Sequence, residues 1–172
     1  MNNIVISIII PAYHVENYIG NTLKSIFSQN KAEIEVIVVN DGSKDNTLGV
    51  VESIKAEWKP ANLKVFSTEN RGVSAARNFG LNKARGEYVL FLDGDDALAP
   101  GTLQVIIDNV SNHRPDVLYW PYNRTDEEFR TLRPFPHEIP SDFVHAGKHV
   151  LREVVNGATW ICTGSAVISK QL

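Results

Sequence analysis

Cysteine is almost missing from this sequence: Cys162 is the only one in 172 residues. A single thiol closes no internal disulfide and builds no cysteine-based zinc site, so a disulfide scaffold and a zinc finger are both excluded and a reducing compartment is the natural setting. A small buried thiol is the plain reading of Cys162, ahead of a nucleophile. Excess positive charge is missing too. Lys and Arg number 17 against 20 Asp and Glu, a net charge of -3, which gives a nucleic acid partner nothing to bind. No apolar run approaches the length that spans a bilayer, and the apolar opening Ile4–Ile10 lacks a basic stretch and runs into Pro11, unlike a secretory leader. The histidines (His14, His113, His137, His145, His149) show no metal-ligand spacing. No G-x-G-x-x-G follows the first apolar run, which excludes a nicotinamide-binding Rossmann protein.

What is present is ordinary globular material: 43% hydrophobic and 22% charged residues, enough at this length for one continuous core. Val5–Ile10 is an unbroken, largely β-branched run, as in a strand buried on both faces. Ile34–Val39, Leu63–Phe66, Tyr88–Leu92 and Val117–Trp120 read as further strands. Between them, Val15, Tyr18, Ile19, Thr22, Leu23, Ile26 and Phe27 recur three and four apart. So do Val50, Val51, Ile54 and Trp58, and, within Pro100–Val110 where Pro100 suits the first turn, Leu103, Ile106, Ile107 and Val110. Each set predicts a helix with one apolar stripe. Gly72–Ala84 predicts another helix, whose small residues Ala75, Ala76, Gly80 and Ala84 let it lie close to a sheet. This alternation predicts an α/β fold, a Rossmann-like mainly parallel sheet with helices on both faces. Past Trp120 the periodicity fades. Pro121–His145 predicts a hairpin turning at Thr125–Glu128 and then a loop, Phe143–Val155 a helix, and Ile161–Ser169 one or two short strands.

Ligands of such sheets bind beyond the carboxyl ends of the strands. Three polar clusters fall there: Pro11-Ala12-Tyr13, Asn40-Asp41-Gly42-Ser43 and Asp93-Gly94-Asp95-Asp96. The last packs three carboxylates into four residues, and these repel one another unless a cation or hydrogen bonds compensate. Oxygen-only ligands suit Mg2+ or Mn2+ bridging carboxylate to phosphate, and Gly94 lets the chain bend and a phosphate approach. An exposed acidic turn before the next helix explains the same residues about equally well. Asp41 is able to accept from a base N–H, although a plain turn and helix cap is the stronger reading of its cluster alone. The Tyr13 ring suits stacking on a nucleobase, or simply ends its strand half-buried. His14 and Glu16 stand beside it, each more often a solvated residue than a ligand contact. Arg77 is placed to reach phosphate oxygens together with the helix start at Gly72-Val73-Ser74, or to pair with Glu87 or Glu69.

Taken in order, the segments SIIIPAYHVENYIGNTLKSIFSQ, EVIVVNDGSKDNT and NRGVSAARNFGLNKARGEYVLFLDGDD resemble the successive blocks of glycosyltransferase family 2, whose fold is GT-A. The resemblance is dense over Ile4–Trp120 and weak after it. It implies a single GT-A domain over 1–172, with a nucleotide-sugar-binding half in 1–120 and the start of an acceptor-side half in 121–172. It implies inverting transfer of a sugar from a nucleotide diphosphate donor to a hydroxyl of a glycan or lipid-linked acceptor, in cell-surface polysaccharide or lipopolysaccharide synthesis. Tyr13 holds the family position that packs on the base, with Pro11 and Ala12 shaping the pocket. Asp41 holds the one that hydrogen-bonds the base, Glu16 a polar position near the nucleotide, and Arg77 a common arginine near the donor. Asp93 and Asp95 match the DxD motif, with Gly94 between them and Asp96 extending the cluster. The first of the pair faces the ribose or the metal shell; the second coordinates a divalent ion, Mn2+ or Mg2+, on the diphosphate.

Two departures matter. His14 occupies the usual place of an asparagine. The family's acidic Glu-Asp pair, source of the general base, has no counterpart, since past Asp142 the only acidic residue is Glu153. No catalytic residue is identified within the sequence; the base is expected beyond Leu172, and the chain reads as C-terminally shortened. A donor-binding module without turnover is therefore the rival function. A sugar nucleotidyltransferase ranks below it, because such enzymes hold triphosphate in a glycine-rich loop where this chain has Pro11-Ala12-Tyr13-His14. The expected setting is cytoplasmic, with peripheral association at the inner face of the cytoplasmic membrane and a homodimer both left open.

Overall fold

The computed structural model describes residues 4–120, 122–126, 131–134 and 163–171. Strands β1 (Ile6–Ala12), β2 (Ile34–Asp41), β3 (Leu63–Thr68) and β4 (Tyr88–Phe91) run parallel, linked by helices α1 (Ile19–Phe27), α2 (Thr47–Trp58) and α3 (Val73–Leu81). Helix α4 (Thr102–His113) leads to β5 (Val117–Tyr119). Strands β6 (Asn123–Thr125) and β7 (Thr131–Pro134) pair antiparallel apart from the main sheet, where a hairpin was expected. A last strand, β8 (Ala166–Ser169), inserts antiparallel between β4 and β5, giving the order β3-β2-β1-β4-β8-β5.

Period-two alternation explains why β1 reads as a continuous apolar run. Ile6, Ile8 and Ile10 face one layer with Leu23 of α1, Val51 of α2 and Leu103 of α4. Ile9, with Ile37 and Val39 of β2 and Val89 of β4, faces the other layer, where α3 contributes Ala76. Helix α3 lies as close as its small residues suggest: a Cβ on Gly80 would collide with Ile9 Cγ2.

Some boundaries differ from expectation. The first helix begins at Ile19 rather than near Val15, because the amides of residues 14 to 16 bond to side chains of another loop. The fourth begins at Thr102, after Gly101 at φ +83°, so Pro100 precedes it. The third ends at Leu81. Cys162, the helix expected at Phe143–Val155 and the greater part of the 121–145 stretch lie outside the described residues. Among the described residues no helix is long and apolar enough to cross a membrane.

The topology fixes where a ligand fits. The chain lays β2 and β3 on one side of β1, then crosses to place β4 on the other. A crevice opens where strand order reverses, outside the carboxyl ends of the strands. Here that point lies between β1 and β4, at Pro11 and Asp93.

Candidate functional site

The loop after β1 forms one wall of this crevice. It is fastened to the loop after β2 by hydrogen bonds to consecutive amides. His14 N–H donates to Ser43 Oγ at 3.2 Å, Val15 N–H to Thr47 Oγ1 at 2.9 Å and Glu16 N–H to Asp45 Oδ2 at 3.3 Å. Two bonds run the other way, from Lys44 N–H to His14 Nε2 at 3.2 Å and from Asn46 N–H to Glu16 Oε2 at 2.6 Å. Burial works against the charge on Asp45, but bonds from the Thr47 hydroxyl, Thr47 N–H and Glu16 N–H outweigh it and hold that carboxyl below its ordinary range. Glu16, expected near the nucleotide, thus has one carboxylate oxygen bonded at the start of α2. Pro11 and Ala12 are buried at the strand end, while Tyr13 is 47% exposed beyond them.

The opposite wall comes from β4. Leu92 N–H donates to Ile9 O, which carries Asp93 up beside Pro11. Gly94 is buried, and α1 grips it through the Thr22 hydroxyl, which donates to Gly94 O at 2.9 Å. A Cβ on Gly94 would lie 3.1 Å from Val15 Cγ2 and 3.3 Å from Pro11 O, so glycine here lets the two walls meet. Arg77 reaches over from α3 and pairs with Asp93 at 2.6 Å rather than with Glu87 or Glu69. Asp95 is exposed, with no hydrogen-bond or ion-pair partner among the described residues. Burial raises the Asp96 carboxyl above its ordinary range, and the charges of Asp95 and Asp93 add to the shift.

Asp41 is placed differently from the other candidates. It is 3% exposed, and both carboxylate oxygens are engaged: Oδ1 accepts from Arg71 N–H at 3.0 Å and the Thr68 hydroxyl at 3.3 Å, and Oδ2 from Gly72 N–H at 2.8 Å. A nucleobase would reach Asp41 only by sharing an oxygen that already accepts. The same bonds engage the amides of residues 71 and 72, so the start of α3 does not offer those two to a phosphate.

Pro11 and Gly94 thus meet where β1 and β4 adjoin, with Ala12 buried next to Pro11 and Arg77 tied to Asp93; Tyr13 and Asp95 are exposed in the loops that follow, and Asp41 and Glu16 bond to neighbouring loops. Sequence reasoning missed three contributors. The Ser43, Asp45 and Thr47 ties were signalled by their alternate spacing just after a strand. Thr22 was read as part of a core stripe. Gly164, where a Cβ would come within 3.1 Å of Asp96 Oδ2, carried no signal at all, because only the insertion of β8 brings it there.

Comparison with known proteins bears on this arrangement. The family model for glycosyl transferase family 2 matches residues 7–166. The chain is 33% identical over 129 residues to the uncharacterized glycosyltransferase EpsJ of Bacillus subtilis, covering 75% of this chain and 37% of that protein. It is 40% identical over 116 residues to the poly(ribitol-phosphate) beta-N-acetylglucosaminyltransferase TarS of Staphylococcus aureus, covering 65% of this chain and 20% of TarS. The crystal structure of TarS 1-349 with UDP superposes with a TM-score of 0.62 at 39% identity, covering 67% of this chain and 35% of that one. The mannosyltransferase PcManGT from Pyrobaculum calidifontis, in complex with GDP-Man and Mn2+, superposes with a TM-score of 0.70 at 24% identity, covering 98% and 45%. This chain thus spans less than half the length of each.

Proposed function

The chain belongs to glycosyl transferase family 2 and has its GT-A fold, and from that premise we propose that it forms the donor-binding part of an inverting enzyme that transfers a sugar from a uridine diphosphate donor to a glycan or lipid-linked hydroxyl. The observation that carries this reading is the pairing of walls at the switch point. The acidic cluster that follows β4 stands beside the β1 loop, with one carboxylate unpartnered among the described residues and a guanidinium beside it. The uridine donor is supported by the UDP and UDP-GlcNAc complexes of TarS, at 39% and 38% identity. A role in the synthesis of a cell-surface polymer is supported by the names of TarS and of the minor teichoic acid biosynthesis protein GgaA of Bacillus subtilis.

The residues fit a divalent ion. Hard oxygen donors, one without a partner among the described residues, and a carboxyl raised by burial and further by its neighbours' charges mark a place where positive charge is favoured. No three acidic, histidine or cysteine side chains among the described residues form a complete cage. That accords with an ion that takes the rest of its shell from substrate phosphate and water. Asp95, with Asp93 beside it, would hold the ion, whose chemistry there is to neutralise the diphosphate as it leaves.

The chain's own residues bind and orient. Tyr13 stacks on the base, with Pro11 and Ala12 as the pocket floor. Arg77 holds Asp93 in place and offers its guanidinium to phosphate. The acceptor oxygen forms its bond to the anomeric carbon from the face opposite the phosphate, the carbon–phosphate oxygen bond breaks, and configuration inverts. The acceptor's proton passes to a general base that is not among the residues of this donor-binding part.

Titration of UDP into the protein with Mn2+ tests this. Asp95→Ala is expected to weaken metal-dependent binding at least tenfold at unchanged melting temperature. Equal, equally metal-dependent binding by the variant would refute the assignment.

A further inference from the structure

His14 stands where the family usually has asparagine, and its surroundings give that difference a purpose. Its backbone is left-handed, with φ +54°. Among non-glycine residues, Asn, Asp and His are the ones enriched in that region, and of these only His is aromatic. The His14 ring lies against the Tyr13 ring with centroids 4.1 Å apart and planes 14° from parallel. One loop fixes both parts of the residue: the backbone N–H of His14 donates to Ser43 Oγ, and the ring Nε2 accepts from Lys44 N–H, so the ring proton belongs on Nδ1. Tyr13 follows the last residue of β1 and is 47% exposed, so little else restrains it. One face of Tyr13 meets His14, and the 47% exposure of the residue leaves part of the ring accessible to a flat ligand.

We infer that His14 is a positioning residue for the donor: it fixes the Tyr13 ring so that the base, Tyr13 and His14 stack as three layers. This rests on the reading of Tyr13 as the base platform. An asparagine at position 14 tolerates the same backbone, but its shorter side chain does not reach the place of Nε2, so the exposed Lys44 amide turns to solvent; without the ring, Tyr13 is free to turn, and ordering it then opposes binding.

The test uses full-length protein with Mn2+, titrated with UDP and, separately, with inorganic pyrophosphate, which has no base. His14→Asn is expected to weaken UDP binding about two- to tenfold, the span of one aromatic pair, and to leave pyrophosphate binding and the melting temperature unchanged. Tyr13→Ala is expected to weaken UDP binding at least as much, and the double variant to be no weaker than Tyr13→Ala, since His14 acts through Tyr13. If Tyr13→Ala weakens UDP binding and His14→Asn does not, or if His14→Asn weakens pyrophosphate equally, the role of His14 is overturned while the base platform stands. If Tyr13→Ala leaves UDP binding unchanged, the platform fails and this inference with it.

Discussion

Asp41 ends β2 and Asp95 lies just past β4, both parallel strands, yet their surroundings are opposite. Asp41 is buried, with its oxygens on the Arg71 and Gly72 amides; Asp95 is exposed and unpartnered among the described residues. A buried carboxylate accepting two backbone amides fixes the turn that carries them. Asp41→Asn would turn an NH2 toward one of those N–H groups and strand it. The expected cost is about 1–3 kcal/mol in urea denaturation, with faster hydrogen exchange at Arg71 and Gly72. Both aspartates were legible as special, because each lies at or just past the end of an apolar strand. Their division of labour was not, because the Asp41 partners lie 30 and 31 residues away.

At the level of elements, spacing gave the strands and stripes, while contacts between loops set where helices begin. The tie from Ser43, Asp45 and Thr47 to the amides of residues 14 to 16 holds those residues out of α1 and presents Tyr13 at the rim. Helix α3 shows spacing and packing in agreement. Gly80 was read from sequence as a point of close approach, and it faces Ile9 of β1, which is fully buried. Gly80→Ala has no room for its methyl unless helix or strand moves. Despite alanine's better helix propensity, overpacking is expected to win, with a loss of about 1–3 kcal/mol in chemical denaturation. Because α3 carries Arg77, the ion pair with Asp93 is expected to loosen as well.

Across the whole molecule, the end of the sheet opposite the crevice is held by a charged knot. Glu35, with a fully buried side chain, bonds to the Ser7 hydroxyl, the Arg85 amide and guanidinium, and Lys64, joining β1, β2, β3 and the turn before β4. Burial alone would raise its pKa, but these bonds, led by the Arg85 amide, lower it from 4.5 to about 2. The unfolded chain therefore takes up this proton first. The stability from Glu35 is complete above about pH 4.5 and is lost as pH falls toward 2, a change of roughly 3 kcal/mol. Glu35→Gln should lower stability at neutral pH and flatten the fall between pH 4.5 and 2 in denaturation curves. By itself the sequence determined the alternation of strands and helices, the apolar faces and the polar clusters at strand ends, because side-chain period and turn chemistry are local. Only the tertiary structure decided that β4 lies beside β1, that β8 enters between β4 and β5 to bring Gly164 against Asp96, and that Asp41 and Glu16 bind loops. Strand order and the partners of a buried carboxylate depend on packing between segments far apart in the chain, which no local spacing records.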